Sequence, residues 1–224
     1  NYLGRQSYDS WQRGKDDFSE SIFVWLDVDT KIRELTRGKR SLDDFARAFC
    51  GVEDGRIEPL TYTFEDVVAT LNAVTPYDWA SMLRARLDAH SAGAPLDGLA
   101  RSGWRLAFRD EPSPSDKEAD SADGTQNFLY SLGVIVGKDG KVGEVFWDSL
   151  AFKAGVAPGM TIVAVNGKAY THGRLQDALK AAKADPKLPT ELLIRGADTF
   201  STIRLDYHDG LRYPHLERIE KTPD

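Results

Sequence analysis

The first hundred residues carry apolar positions at helical spacing, most clearly at Ile22, Phe23, Trp25, Leu26, Ile32 and Leu35. Acidic residues lie early in this run and basic residues lie late, which is the polarity that the helix dipole favours. Gly38 follows the last basic residue and is a natural helix end. The pattern predicts one long helix that ends near Gly38.

Short polar motifs predict where further helices begin. Ser41 and Thr63 are each followed three residues later by an aspartate, which is the spacing of a capping box. Pro76 stands at the first helical position of another predicted helix, where its missing N–H is tolerated. One more helical turn is predicted within 95–102, and a half-buried strand over Trp104–Phe108. Residues 1–109 are therefore predicted to form a domain of four or five short helices.

Residues 110–124 contain no large apolar side chain and are rich in Asp, Ser and Pro. Such a composition is typical of a solvated linker or mobile loop. This segment is predicted to separate the helical domain from a second domain.

The second domain, predicted over residues 125–209, alternates strand and turn signals. The glycine-punctuated stretch Tyr130–Gly133 leads into the apolar run Val134–Val136, which predicts a loop and then a strand that closes into a hairpin. Further signals are a helical turn ended by Gly155, a Pro158-Gly159 turn, a strand over Met160–Val165 and an Asn166-Gly167 hairpin turn.

One main helix is predicted after that hairpin, from Thr171 to Asp185, with Leu175 and Leu179 on its apolar face. Two strands follow, over Leu192–Ile194 and Phe200–Leu205. Residues 210–224 are predicted to be a tail that packs on a neighbour. The whole chain is predicted to be of the α+β class.

The second domain resembles a PDZ domain in the bacterial, permuted arrangement. Ser131-Leu132-Gly133-Val134 stands where that family has its carboxylate-binding loop, and 154–160 and 165–167 match its A-G-L-x-P-G-D and V-N-G motifs. Met160 departs from the family, which usually has Asp there. The resemblance covers roughly residues 124–207 and implies a β-barrel or sandwich with one main helix.

The resemblance also implies a peptide-binding groove. The backbone N–H groups of Ser131, Leu132, Gly133 and Val134 would capture a C-terminal carboxylate, and the peptide would add to the strand Val134–Val136. Leu175 and Leu179 would line the side-chain pocket, and His172 would be a specificity position. The alternative is a groove that is filled by the chain itself or that only packs on a catalytic domain; for His172 it is a surface histidine.

The first part resembles the carboxy-terminal region of bacterial glycyl aminopeptidases, which are gluzincin-type zinc metallopeptidases that end in a PDZ domain. The resemblance rests on the stretches 25–30, 41–49 and 62–67, and on the tail 211–216. It implies hydrolysis of amino-terminal residues, with glycine and other small residues preferred. It also implies a zinc ion held by H-E-x-x-H and a downstream Glu.

Those zinc ligands are absent from the printed sequence. The four histidines are His90, His172, His208 and His215, and none of them forms an H-E-x-x-H motif. We therefore expect no metal site and no activity in this chain, with zinc held by a missing amino-terminal catalytic domain of the parent enzyme. The chain opens on Asn1 without an initiating Met, which is consistent with a fragment.

One catalytic position of related aminopeptidases falls on Phe18. Those enzymes place there a tyrosine whose hydroxyl stabilises the developing oxyanion, and Phe cannot donate a hydrogen bond. Three alternatives remain: the parent enzyme uses another donor, it is weakened, or the local alignment is shifted. Glu20, together with Asp27 and Asp29, is a weaker catalytic or amine-binding candidate; early-helix acids are more often partners of the helix dipole.

Composition narrows the partners further. The chain of 224 residues has 29 basic and 35 acidic residues, a net charge of −6, and no basic run, which argues against nucleic acid. The longest apolar stretch, Phe128–Val136, is too short to cross a membrane. Cys50 is the only cysteine, so an internal disulfide is excluded, and bacterial cytoplasm and periplasm both remain open. The rival interpretation is a stand-alone, non-catalytic PDZ module that binds peptides.

Overall fold

A computed structural model describes residues 16–53, 55–89 and 94–220. These residues form eight helices and nine strands, so the α+β prediction is confirmed. They group into two compact units. The helical unit comprises residues 16–105 and 217–220, and the PDZ-like unit comprises residues 106–216.

Five helices make up the helical unit: α1 (Asp16–Thr36), α2 (Leu42–Cys50), α3 (Phe64–Val74), α4 (Trp79–Leu87) and α5 (Asp97–Arg101). The capping boxes predicted at Ser41 and Thr63 are both present. The prediction for α4 was wrong in detail. Asp78 is its N-cap and accepts a hydrogen bond from the Ser81 N–H, so Pro76 precedes the helix instead of opening it.

The core of the helical unit is a cluster of buried apolar residues on the inward faces of α1 to α4, namely Val28, Ile32, Phe45, Leu71, Val74, Trp79 and Leu83. Trp79 is fully buried, and its indole N–H donates to the Thr75 carbonyl at 2.9 Å. A buried indole needs such a partner, because an unpaired N–H in an apolar core is costly.

Within the segment 110–124, which was predicted to be a linker or mobile loop, residues 114–123 form helix α6 (Pro114–Asp123). Ser113 and Asp116 make a capping box, and Pro114 occupies the first turn, where its fixed φ suits a helix. Gly124 ends the helix in the left-handed conformation. Local capping thus outweighs a composition that suggests disorder.

Strand β1 (Trp104–Arg109) precedes α6 and pairs with the last strand, β9 (Tyr213–Arg218). Residues 210–218 of the predicted tail therefore hold part of a two-stranded sheet, while residues 221–224 lie outside the described residues. Leu211 and Tyr213 are buried in the core of the PDZ-like unit.

The remaining elements of the PDZ-like unit are β2 (Thr125–Phe128), β3 (Val134–Gly137), β4 (Val142–Val145), α7 (Leu150–Lys153), β5 (Thr161–Val165), β6 (Lys168–Ala169), α8 (His172–Ala184), β7 (Thr190–Arg195) and β8 (Phe200–Leu205). They form a three-stranded sheet, β2-β3-β4, and a four-stranded sheet, β6-β5-β7-β8. Within the described ranges the strands do not close into a barrel. The unit is PDZ-like, with the loop before β3 and one main helix, α8.

Turn chemistry fixes the register of the β5–β6 hairpin in the four-stranded sheet. Asn166 and Gly167 have φ values of 48° and 73°, which is the left-handed pair that a type I′ hairpin requires. This turn places β6 antiparallel to β5, with Val165 opposite Lys168. Strand β7 covers the other edge of β5, with Val165 opposite Leu192.

Candidate peptide-binding groove

The loop Leu129–Gly133 joins β2 to β3 and contains the residues predicted to bind a carboxylate. Gly133 has a φ of +81°, which L side chains rarely adopt. A Cβ at this position would also overlap the Ser149 side chain, which caps α7. Glycine is therefore required at Gly133 for two independent reasons.

The amides of this loop converge on one acceptor. The backbone N–H groups of Ser131, Leu132 and Gly133 point to the carbonyl oxygen of Phe128, at 3.1, 2.8 and 3.0 Å. Successive N–H groups that face one oxygen form a nest of the kind that captures anions. Here the nest is filled by a backbone carbonyl of the same chain.

Strand β2 occupies one edge of β3. The two strands are antiparallel, with Gln126 opposite Val136 and Phe128 opposite Val134. The other edge of β3 is paired with β4, where Val134 lies opposite Val145. Because both edges of β3 are paired, no peptide strand can add to it while β2 is in place.

The Phe128 side chain is fully buried, with 0% of its surface exposed. It belongs to the apolar cluster that includes Leu132, Val134, Leu175 and Leu179. These are four of the residues predicted to recognise a peptide. An aromatic ring carried by β2 thus shares the buried core of the PDZ-like unit with the predicted groove residues.

Gln126, two residues before Phe128, is also buried, with 3% exposed. It lines an open cleft of about 270 Å³ together with His172 and Gln176 of α8. Gln126 Oε1 and His172 Nδ1 are buried atoms without a hydrogen-bond partner within the described structure. Burial lowers the pKa of His172, and the nearby Lys138 lowers it further.

Helix α6 contacts β2 through Asp120. Its carboxylate accepts hydrogen bonds from the Asn127 N–H at 3.3 Å and from the Thr125 hydroxyl at 3.5 Å. Burial raises the pKa of the Asp120 carboxyl above its usual value, although the bond from Asn127 opposes that effect. Because the Asn127 backbone N–H donates to Asp120, this N–H points towards α6.

All eight predicted groove residues lie in the PDZ-like unit, on the nest loop, on β3 and on α8: Ser131, Leu132, Gly133, Val134, Val136, His172, Leu175 and Leu179. The structure adds β2, which the sequence reasoning missed. Its polar residues Thr125, Gln126 and Asn127 did not suggest a strand. The available signal was alternation, since Gln126 and Phe128 are buried while Thr125 and Asn127 are partly exposed.

The acidic candidates of the helical unit are engaged in structural contacts. Asp27 is fully buried, lies 3.0 Å from Arg86 Nε and is ion-paired with Arg101. Asp29 accepts the Leu42 N–H at 2.8 Å and pairs with Arg33 at 2.7 Å. These contacts tie α1 to α2, α4 and α5.

The other two candidates lie on the same helix. Glu20 is exposed on α1. Phe18 lies in the first turns of α1, and its side chain is outside the described residues. The structure therefore leaves both as sequence-based predictions.

No group of three or more His, Cys, Asp or Glu side chains in the described ranges is placed to hold a metal ion. A ring N–H of His208 donates to the Ala182 carbonyl at 3.0 Å, and one of His215 donates to the Glu111 carbonyl at 2.7 Å. His90 lies outside the described residues. No helix among residues 16–53, 55–89 and 94–220 is long and apolar enough to cross a membrane.

Comparison with known proteins gives a fold-level match. No family model matches the chain, and no curated protein does. A crystal structure of an aminopeptidase N family protein from Idiomarina loihiensis matches 92% of this chain with a TM-score of 0.54 and 16% identity. The match covers 35% of that protein, so the chain spans about a third of its length. At this identity the likeness shows the fold alone.

A second solved structure is the HtrA3 PDZ domain bound to a phage-derived ligand, FGRWV. It matches 51% of this chain and 91% of that domain, with 19% identity and a TM-score of 0.26. That score is too low to support an argument. The PDZ-like character of residues 106–216 rests on their own element order and groove geometry.

Proposed function

We propose that this chain is the carboxy-terminal part of a zinc aminopeptidase that removes small amino-terminal residues. The observation that carries the proposal is co-linearity. Motifs resembling glycyl aminopeptidases recur in order along nearly the whole chain, and a fold likeness to an aminopeptidase N family protein covers 92% of it. In that protein, about two thirds of the length lies outside the match.

The chemistry would be supplied by the upstream part of the parent protein. A zinc ion bound there would provide an activated water for hydrolysis of the first peptide bond. We expect no zinc site in this chain, because its histidines lack the H-E-x-x-H spacing and the candidate acids Asp27 and Asp29 are held in ion pairs with arginines.

The contribution of this chain would be scaffolding. In the helical unit, Asp27 and its two ion-pair partners, Arg86 and Arg101, form a cluster that holds α1 against α4 and α5. Helix α1 also carries Phe18 and Glu20. In the PDZ-like unit, β2 pairs with the edge of β3 to which a peptide would be expected to add. A stand-alone module that binds free C-termini is the weaker proposal, because both edges of β3 are paired.

The test compares two proteins: a longer chain that includes the upstream residues, and the present 224-residue chain as its matched control. The longer protein is expected to hold about one zinc per molecule and to release aminoacyl chromophores in a chelator-sensitive manner. The present chain is expected to do neither. Chelator-sensitive peptidase activity in the 224-residue chain, or a longer protein without zinc and activity, would contradict the proposal.

A substitution in the longer protein separates the alternatives at Phe18. If Phe18 stands in place of an oxyanion donor that nothing else replaces, Phe18→Tyr is expected to raise kcat by on the order of 10²–10³ with little change in KM. If another donor is used, or if the alignment is shifted, the variant is expected to leave kcat unchanged.

A further inference from the structure

We propose that β2 is a built-in ligand of its own groove, with Phe128 in the place that the last residue of a bound peptide would take. The proposal concerns the PDZ-like unit alone and does not depend on the aminopeptidase assignment. It specifies the occupant of the groove as residues 125–128 of this chain.

The backbone contacts support this assignment. An extended peptide recognised at a sheet edge pairs with the edge strand, and its terminal carboxylate is held by a nest of amides. Strand β2 pairs antiparallel with β3 over four residues and ends at the nest. The Phe128 carbonyl oxygen accepts hydrogen bonds from the N–H groups of Ser131, Leu132 and Gly133. The carboxylate oxygen of a bound peptide would accept the same hydrogen bonds.

The side chains follow the same logic. Recognition at a sheet edge uses pockets for alternate side chains, because neighbouring residues of a strand point to opposite faces. In β2, Phe128 and Gln126 are the buried pair, at 0% and 3% exposure, while Thr125 and Asn127 are partly exposed. Phe128 shares the buried core of the unit with Leu175 and Leu179, and Gln126 and His172 line the same cleft. The groove thus fits an aromatic last residue and an amide two positions earlier.

Covalent attachment makes this ligand hard to displace. Phe128 is joined to β3 by a loop of five residues, and such a short connection gives an effective concentration in the millimolar range or above. A free peptide that makes the same contacts must exceed that concentration to compete. The groove is therefore closed to C-terminal peptides unless β2 is weakened.

The test measures binding of a peptide that copies residues 124–128, Gly-Thr-Gln-Asn-Phe with a free carboxylate, to the full 224-residue chain. Wild type is expected to show no binding below about 1 mM. Phe128→Ala removes the tethered ring while the peptide keeps its own, so affinity is expected to rise by about 10²–10³. The matched control is Phe200→Ala, at an exposed aromatic of β8, which is expected to bind as poorly as wild type.

A second variant is Asp120→Ala, which removes the two hydrogen bonds that Thr125 and Asn127 of β2 donate to α6 and leaves the apolar core intact. Peptide affinity is expected to rise about tenfold over wild type. Its matched control is Glu118→Ala, an exposed carboxylate on the same helix, with no expected gain. The same peptide with a C-terminal amide is expected to bind Phe128→Ala at least tenfold more weakly than the free acid.

Two outcomes would overturn the proposal: wild type that binds the peptide with a Kd below about 100 μM, or folded Phe128→Ala that gains no affinity. If Phe128→Ala does not fold alone, the peptide is expected to restore cooperative unfolding, and Asp120→Ala provides the binding test. Failure of both readouts would also overturn the proposal.

Discussion

The carbonyl oxygen of Phe128 lies 3.0 Å from the backbone nitrogen of Gly133. This hydrogen bond, with those from Ser131 and Leu132, closes the loop between β2 and β3. It also satisfies amides that would otherwise be buried without a partner, because Leu132 and Gly133 are both buried. The amides of this loop therefore have hydrogen-bond acceptors without any bound peptide.

Gly133→Ala is expected to destabilise the PDZ-like unit by about 2–4 kcal/mol. The substitution would place a side chain on a left-handed backbone position and would also bring its Cβ into steric overlap with the Ser149 side chain. The measurement is the free energy of unfolding in urea. Gly159→Ala is the matched control, because Gly159 has a φ of +86° but open space around it. We expect the control to lose only about 1–2 kcal/mol. Equal losses in the two variants would show that the Ser149 contact is unimportant.

Asp27→Asn is expected to destabilise the helical unit by about 3–5 kcal/mol, because it leaves Arg86 and Arg101 facing a neutral group at a buried position. Chemical denaturation followed by circular dichroism measures the loss. The control is Glu34→Gln, which breaks an exposed pair with Lys31 and is expected to cost less than about 1 kcal/mol. A loss for Asp27→Asn as small as the control's would contradict a structural role for this cluster.

The stability contribution of Asp120 is expected to depend on pH. Burial raises the pKa of this carboxyl in the folded chain, so the folded state holds the proton more tightly than the unfolded state does. The part of its contribution that depends on proton binding is therefore present below about pH 4, the ordinary carboxyl value, and is lost as the pH rises through the higher folded value. Relative to Asp120→Asn, wild type should lose unfolding free energy over this window. A relative gain with rising pH would contradict the sign.

The sequence predicted elements whose signals are local. Capping boxes at Ser41 and Thr63, and the hairpin turn at Asn166-Gly167, each depend on a few neighbouring residues, and all three are confirmed. The element order after residue 130 was predictable for the same reason. These motifs act on the backbone within one or two turns, so no knowledge of the tertiary fold was needed.

The elements that the sequence did not reveal depend on distant partners. Strand β2 has three polar residues out of four, and it is a strand because β3 and the nest satisfy its backbone. Helix α6 lacks large apolar residues, and its Asp120 hydrogen-bonds β2. The role of Asp27 was hidden as well, since its partners Arg86 and Arg101 lie more than fifty residues away along the chain.

The most direct test of the filled groove is nuclear magnetic resonance on the wild-type chain without added peptide. The pairing of β2 with β3 predicts backbone nuclear Overhauser effects between Gln126 and Val136 and between Phe128 and Val134. It also predicts slow amide exchange at Leu132 and Gly133, whose N–H groups are bound to the Phe128 carbonyl. Absent cross-strand effects together with fast exchange at both amides would show an open groove and contradict the account.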